Sequence, residues 1–399
     1  MNIFLSLSII FGGGVIGGFL FEKIRMPKLI WYIFLGILIG PSLLNIVDDT
    51  LISISSYLRQ IALVIILTRS GLSLDINNLK KIGRPAIFMC FLPATFEIIG
   101  VIVFAPMFLN ISYLEAMLLG SVLAAVSPAI VVPRMIKLMD LKYGTKNHVP
   151  ELVLAGASCD DIFVIVLFYS FKNLVLTNTF DFYSIFQIPL SIILGILLGI
   201  AFGFIMVLII RYLKLNKILN VIFMLGLSLG IITLENALKQ YISISSLLAI
   251  IVMALIINIF KKEEAKEMQE SYNSLWSGFE ILLFALVGIA TDVRYAISID
   301  GAKIVGLIFI ALAFRSVGVF LSIIKTKFTF KEKIFIILSY LPKATVQASI
   351  GAIALSEGLA CGTIVLTAAV ISILITAPLG AILMDNTYMI LLKKEENQV

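Results

Sequence analysis

Thirteen apolar runs follow one another along this chain with only short polar or basic segments between them. They lie near residues 3–21, 29–47, 55–74, 86–109, 113–136, 151–171, 183–211, 218–238, 242–260, 275–291, 302–324, 334–355 and 361–385. A helix rising 1.5 Å per residue needs about 20 apolar residues to cross a hydrocarbon core of about 30 Å, so each run reads as one membrane span. Composition agrees, with 60% of the 399 residues apolar and 14% charged, where a soluble globular domain has roughly 45–50% and 25%. The expectation is an all-α polytopic membrane protein of about 13 transmembrane helices. The first run, 3–21, has no basic segment before it and no small-residue cleavage pattern after it, so it reads as a retained span. No soluble domain is expected at either end. The longest connecting segment, 261–274, is too short to house one.

The lysines and arginines check the span count, because a missed or invented span would scramble their alternation. One side collects Lys23, Arg25 and Lys28, then Lys80, Lys81 and Arg84, then Arg134, Lys137, Lys142 and Lys146. The same side collects Arg211, Lys214 and Lys217, then Lys261, Lys262 and Lys266, then Lys325, Lys327, Lys331 and Lys333, and finally Lys393 and Lys394. The opposite loops hold Arg59, Lys172, Lys239, Arg294 and Lys303. The positive-inside rule therefore puts the C-terminus in the cytoplasm and the N-terminus outside, in a bacterial-type inner membrane. It also accounts for the net charge of +6 without nucleic acid. Cys90, Cys159 and Cys361 sit in apolar runs with no metal-ligand spacing and read as small buried hydrophobes.

Charges inside the hydrocarbon are costly, about 2.5–3.5 kcal/mol each on insertion scales, so each one asks for a function or a partner. At 1.5 Å per residue, Glu97 falls about 17 Å from the cytoplasmic end of span 4, Asp160 and Asp161 about 15 Å into span 6, Arg315 about 14 Å above the cytoplasmic end of span 11 and Lys343 about 14 Å into span 12. Five ionisable residues from four spans thus share one depth, close to the midplane. Glu97 and Arg315 read as a buried salt bridge with a structural or conformational role. The adjacent carboxylates of Asp160 and Asp161 cannot both ionise easily in a low dielectric, and such a group can exchange a proton for a hard cation such as Na⁺. Arg69, a few residues from its span end, can snorkel. Glu115 and Glu280 read as interfacial, and His148 as a solvated loop residue.

Two spans carry prolines at the same mid-depth: Pro128 and Pro133 in AlaAlaValSerProAlaIleValValPro, and Pro342 in SerTyrLeuProLysAlaThrValGlnAla. Proline removes a backbone bond and clashes with the preceding turn. Spans 5 and 12 are seven apart and cross the membrane in opposite directions, the pattern of an inverted repeat with two discontinuous helices at its binding site. The breaks at Pro128 and Pro342 would bring half-helix ends of both signs together. Lys343 would offset a negative end and the aspartates a positive one. Freed carbonyls, with the hydroxyls of Ser127 and Thr345, would be open as cation ligands beside Asp160 and Asp161.

Five stretches carry a family resemblance: LeuThrArgSerGlyLeuSerLeuAsp (67–75), AlaValSerProAlaIleValValPro (125–133), AlaGlyAlaSerCysAspAspIle (155–162), PheArgSer (314–316) and LeuProLysAlaThrValGlnAlaSerIleGly (341–351). In these the chain resembles sodium/proton antiporters of the monovalent cation:proton antiporter superfamily, in the branch holding the animal NHA-type exchangers and their bacterial relatives. The resemblance implies a homodimer. Its dimerisation domain would comprise residues 1–75 and 218–292, and its core two repeats, 85–171 and 302–386, joined by a linker helix at 183–212. The resemblance also implies that Asp161 carries the cation and the proton, with Asp160 as its partner, while the core moves past the dimer domain. Many electrogenic members have a lysine where this chain has Arg315, so the ion ratio stays open.

The expected activity is exchange of Na⁺, with Li⁺, for protons, and no enzyme activity. Rivals are K⁺/H⁺ exchange on the same scaffold, or an uncoupled cation channel or sensor. An aspartyl protease would need its carboxylates on two different spans. No organic cofactor or nucleotide is expected, because no Gly-rich phosphate motif is present and Gly12, Gly13 and Gly14 lie in a span, where glycine serves close packing.

Overall fold

The computed structural model describes residues 2–74, 83–177, 182–238 and 244–395. Asp75, Lys80, Lys81 and Lys239 lie outside these. The regular elements are helices: α1 (Ile3–Lys23), α2 (Lys28–Ile39), α3 (Asp49–Ser73), α4 (Arg84–Met89), α5 (Leu92–Leu109), α6 (Tyr113–Leu123) and α7 (Pro128–Asp140). A short 3₁₀ turn (Thr145–Asn147) leads into α8 (Val149–Thr177), α9 (Phe182–Leu213), α10 (Lys217–Leu238), α11 (Ser246–Phe260) and α12 (Lys262–Ala290). The chain then continues through α13 (Val293–Ala296), α14 (Ile299–Ser322), α15 (Phe330–Ser339), α16 (Thr345–Ile350), α17 (Ile353–Ser356) and α18 (Gly362–Leu391). Among the described residues ten helices or helix pairs are long and apolar enough to cross a membrane. Three shorter apolar segments, Lys28–Ile39, Ser246–Phe260 and Thr345–Ser356, fall in the runs expected as spans 2, 9 and 12.

The chain divides into two compact units, one of Met1–Ser56, Asp75–Phe171 and Ile281–Val399, the other of Tyr57–Leu74 and Lys172–Glu280. In the second unit α9 packs closely against α11 at its glycines. A Cβ on Gly199 would stand 2.5 Å from the Ala249 carbonyl oxygen, the close approach that small residues permit between apolar helices. The Tyr272 hydroxyl donates to the Val221 carbonyl at 3.4 Å, tying α12 to α10.

The first unit contains every charge expected at mid-depth. Its two broken spans start alike. Ser112 and Glu115 form a capping box at the start of α6, and Thr329 and Glu332 form another at the start of α15. In each, the hydroxyl accepts from the backbone N–H three residues on and the glutamate accepts from the cap N–H in return. Both helices then run about three turns and stop. The chain unwinds over residues 124–127 after α6 and over 340–344 after α15. Pro128 restarts the first span at a position where its missing N–H costs nothing, whereas Pro133 lies within α7 without breaking it. After α18 the C-terminal segment folds back onto the loop beyond α7, with Gly144 N–H bonded to Lys393 O at 2.9 Å and Glu395 N–H to Lys142 O at 2.8 Å.

Helices α5 and α14 are held together by glycines on both sides. A Cβ on Gly100 would meet the Phe314 ring at 2.8 Å, and one on Gly318 would meet Leu92 O and Pro93 Cα at 2.8 Å. This approach sets Glu97 of α5 opposite Arg315 of α14. Gly318→Val must push the two backbones apart and is expected to cost about 1–3 kcal/mol. A thermal melt in detergent, with wild type alongside, reads that loss.

Candidate functional site

Glu97, Asp160, Arg315 and Lys343 are fully buried, and Asp161 is 5% exposed. Four of them form one connected network. Arg315 Nη1 lies 2.9 Å from Glu97 Oε2 and Nη2 lies 2.8 Å from Asp160 Oδ2. Lys343 Nζ lies 2.7 Å from Glu97 Oε1. Two cations and two carboxylates therefore balance within it. Asp161 makes no ion pair among the described residues.

The network also terminates both broken helices. A helix end leaves carbonyls without partners and carries partial negative charge, which cations stabilise. Arg315 donates through Nη1 to Ala124 O, just beyond α6, and through Nε to Tyr340 O, just beyond α15, at 2.7 Å. One guanidinium thus caps the first half of each broken span. Lys343 Nζ donates to Leu123 O, so its charge offsets the end of the opposite broken helix rather than its own. Gln347 Nε2 donates to Ala125 O at 2.8 Å. At the start of α7, Val126 N–H donates to Asp160 Oδ2 at 2.9 Å, and Ser127 N–H donates to Pro342 O at 2.8 Å, joining the two breaks directly.

This corrects one expectation. The carbonyls of residues 123–125 already accept from Lys343, Arg315 and Gln347, so they do not stand open as cation ligands. The open oxygens are on side chains. Ser127 Oγ, Asp160 Oδ1, Asp161 Oδ1, Thr345 Oγ1, Gln347 Oε1 and Thr367 Oγ1 are buried with no hydrogen-bond partner. In low dielectric an unpaired acceptor is costly, and these are all oxygens, the donor type that hard cations and water take.

The transmembrane model of the sodium/hydrogen exchangers matches residues 7–385. The chain belongs to the sodium/hydrogen exchanger family. Sodium/hydrogen exchanger 9B2 of Homo sapiens is 32% identical over 416 residues, which span 100% of this chain and 76% of that protein. Sodium/hydrogen exchanger 9B1 of Mus musculus is 33% identical, over 96% of this chain and 70% of its own. The fold is that of the sodium proton antiporter MjNhaP1 from Methanocaldococcus jannaschii at pH 8, with a TM-score of 0.83 at 21% identity over 98% of this chain and 99% of that one. This exchanger is therefore a multi-pass membrane protein of cation/proton antiport, a transporter in class.

The residues the sequence singled out thus fall into two groups. Glu97, Arg315, Lys343, Asp160 and the backbone around Pro128 and Pro342 meet in one network. Asp161, Ser127 and Thr345 have buried oxygens that face no donor. His148 stands apart in the loop before α8, 3.4 Å from Glu151 and mostly exposed. Glu115 serves its capping box. Cys361 is buried, while Cys90 and Cys159 are partly exposed and free, less enclosed than apolar packing alone would make them. Sequence reasoning missed Gln347 and Tyr340. A glutamine four residues past a midplane lysine was a readable signal, since an amide there must find partners; the backbone carbonyl of Tyr340 carried none. The capping boxes S-x-x-E and T-x-x-E, set about equally far before the two breaks, were readable signs of the repeat.

Proposed function

We propose that this exchanger moves Na⁺, with Li⁺, against protons, and that Asp161 takes the cation and the proton by turns. One observation carries this: of the three carboxylates Glu97, Asp160 and Asp161, the first two are balanced by Arg315 and Lys343, and Asp161 makes no ion pair among the described residues. A proton and a monovalent cation each bring the site to the same charge. Replacing one by the other changes no net charge in a low dielectric, and this favours one proton per cation. Arg315 stays protonated under all working conditions, so it carries no proton of its own. Ser127 and Thr345 supply neutral oxygens, and no cofactor is needed.

The moving parts are proposed to be those the family resemblance implies. A dimerisation domain of residues 1–75 and 218–292 holds two copies together, and the repeats 85–171 and 302–386 carry the site to either side. The proposed orientation has the N-terminus outside and the C-terminus in the cytoplasm of an inner membrane, supported by the alternation of basic loops.

Proteoliposomes with a set pH gradient test the reading. Addition of Na⁺ or Li⁺ is expected to dissipate the gradient, at a rate unaltered when K⁺ and valinomycin clamp the membrane potential. A response to K⁺ alone would make it a potassium/proton antiporter. Cation flux with no linked proton flux would make it a channel, and a rate that follows the clamped potential would overturn the one-for-one ratio.

A further inference from the structure

Ahead of each restarted half-helix stands a backbone N–H that a side chain of another helix holds. Val126 and Lys343 occupy the same place in their spans, fourteen residues after the cap residues Ser112 and Thr329 and two before α7 and α16 begin. Val126 N–H donates to Asp160 Oδ2 of α8 at 2.9 Å, and Lys343 N–H donates to Thr376 Oγ1 of α18 at 2.9 Å. The first acceptor is a carboxylate and the second a neutral hydroxyl. Thr376 is fully buried. One turn further along the same face of α18, Gly380 lies so close to Pro342 that a Cβ there would enter the proline ring. Thr376 and Gly380 thus form a saddle that holds residues 342 and 343. From this saddle the Lys343 side chain crosses to the first broken span, with Nζ 2.7 Å from Glu97 Oε1 and donating to Leu123 O.

We propose that Thr376 is a positioning residue for cation exchange: its hydroxyl fixes the backbone of Lys343, and through it the ammonium that balances Glu97. The proposal rests on the reading of Asp161 as the carrier and names a residue that reading does not need. A lysine head sits on a flexible four-carbon stem, so it is placed only as well as its backbone is. Lys343 belongs to the unwound stretch 340–344, where no helical ladder holds that backbone. Stripped of its acceptor, the buried N–H is costly, and the break relaxes toward arrangements that satisfy it elsewhere. Those arrangements draw the ammonium from Glu97, and Glu97 and Asp160 are then left to share Arg315. A cation that binds best to the intact network must make up the difference. Its apparent affinity falls with the fraction of molecules in which the network is set.

The test is Thr376→Val, which keeps the shape and loses the acceptor, beside Thr376→Ser, which keeps the acceptor. Both are measured in proteoliposomes and by melting in detergent. In Thr376→Val the apparent KM for Na⁺ and Li⁺ is expected to rise about tenfold, the effect of one buried donor left unmade. Its kcat is expected to be largely kept, because saturating cation draws the network back into place. Thr376→Ser is expected to return the KM to that of wild type. A lower melt of Thr376→Val with an unchanged KM is the signature of packing alone and overturns the proposal, as does an equal rise in KM for Val and Ser. If Thr376→Val does not fold, Thr376→Ala decides: it also lacks the acceptor, and a KM no higher than that of Thr376→Ser overturns the proposal. Asp161→Asn runs in parallel. Coupled exchange by that variant defeats the carrier reading and this proposal together, whereas an inactive Asp161→Asn beside a Thr376→Val of normal KM defeats only the role of Thr376.

Discussion

Asp161→Asn is expected to reduce cation-coupled proton flux to the background of empty liposomes without loss of fold. The two side chains have nearly the same shape, so packing is preserved. Among the described residues Asp161 makes no ion pair, and its Oδ1 has no hydrogen-bond partner, so the change strands no cation. A buried carboxylate with no counter-charge is a cost to the folded state, and a neutral amide removes it. The melting temperature in detergent without Na⁺ is therefore expected to be equal to or above that of wild type. Loss of flux with an undiminished melt is the paired result; normal flux in folded protein would remove Asp161 from the site.

Arg315→Met is expected to do the opposite to stability. Four interactions end on this guanidinium: Glu97, Asp160, and the carbonyls of Ala124 and Tyr340. Removing it leaves two buried carboxylates to one lysine and uncaps both half-helices. Breaking one buried pair costs about 3–5 kcal/mol, and here two carboxylates lose the same partner. The variant is expected to fold poorly or to melt well below wild type. Arg315→Lys sharpens the reading, because one ammonium keeps the charge but cannot reach four acceptors in a fixed plane. It is expected to recover only part of the stability. A melt of Arg315→Met equal to wild type would show that the network does not hold the two breaks together.

These two variants separate what a buried charge can be for. Arg315 fixes geometry, and its chemistry never changes. Asp161 is left out of that network, and under the proposed function its charge is the one the transported ion would answer. The same division explains the glycine contacts at α5 and α14. Gly100 and Gly318 bring the helices close enough for Glu97 to meet Arg315, so packing at one end of a helix pair sets the electrostatics of the breaks.

The chain alone determined the apolar runs, the side on which basic loops collect, and the shared depth of Glu97, Asp160, Asp161, Arg315 and Lys343. Depth and hydropathy are properties of position along a helix, and they can be counted from one end of a run. Proline at Pro128 and Pro342 marked the interruptions for the same reason, since its effect is local. Which helices lie side by side, and how each is rotated, is not local. Arg315 lies 155 residues from Asp160 and 218 from Glu97, and Gln347 lies 222 from the carbonyl it holds. Long side chains such as these reach whichever acceptors the packing presents. Only the tertiary structure decided that the freed carbonyls of residues 123–125 are taken by Lys343, Arg315 and Gln347. That choice follows from cost: a buried carbonyl and a buried cation are each expensive alone, and the fold that joins them leaves the side-chain oxygens as the ones still open.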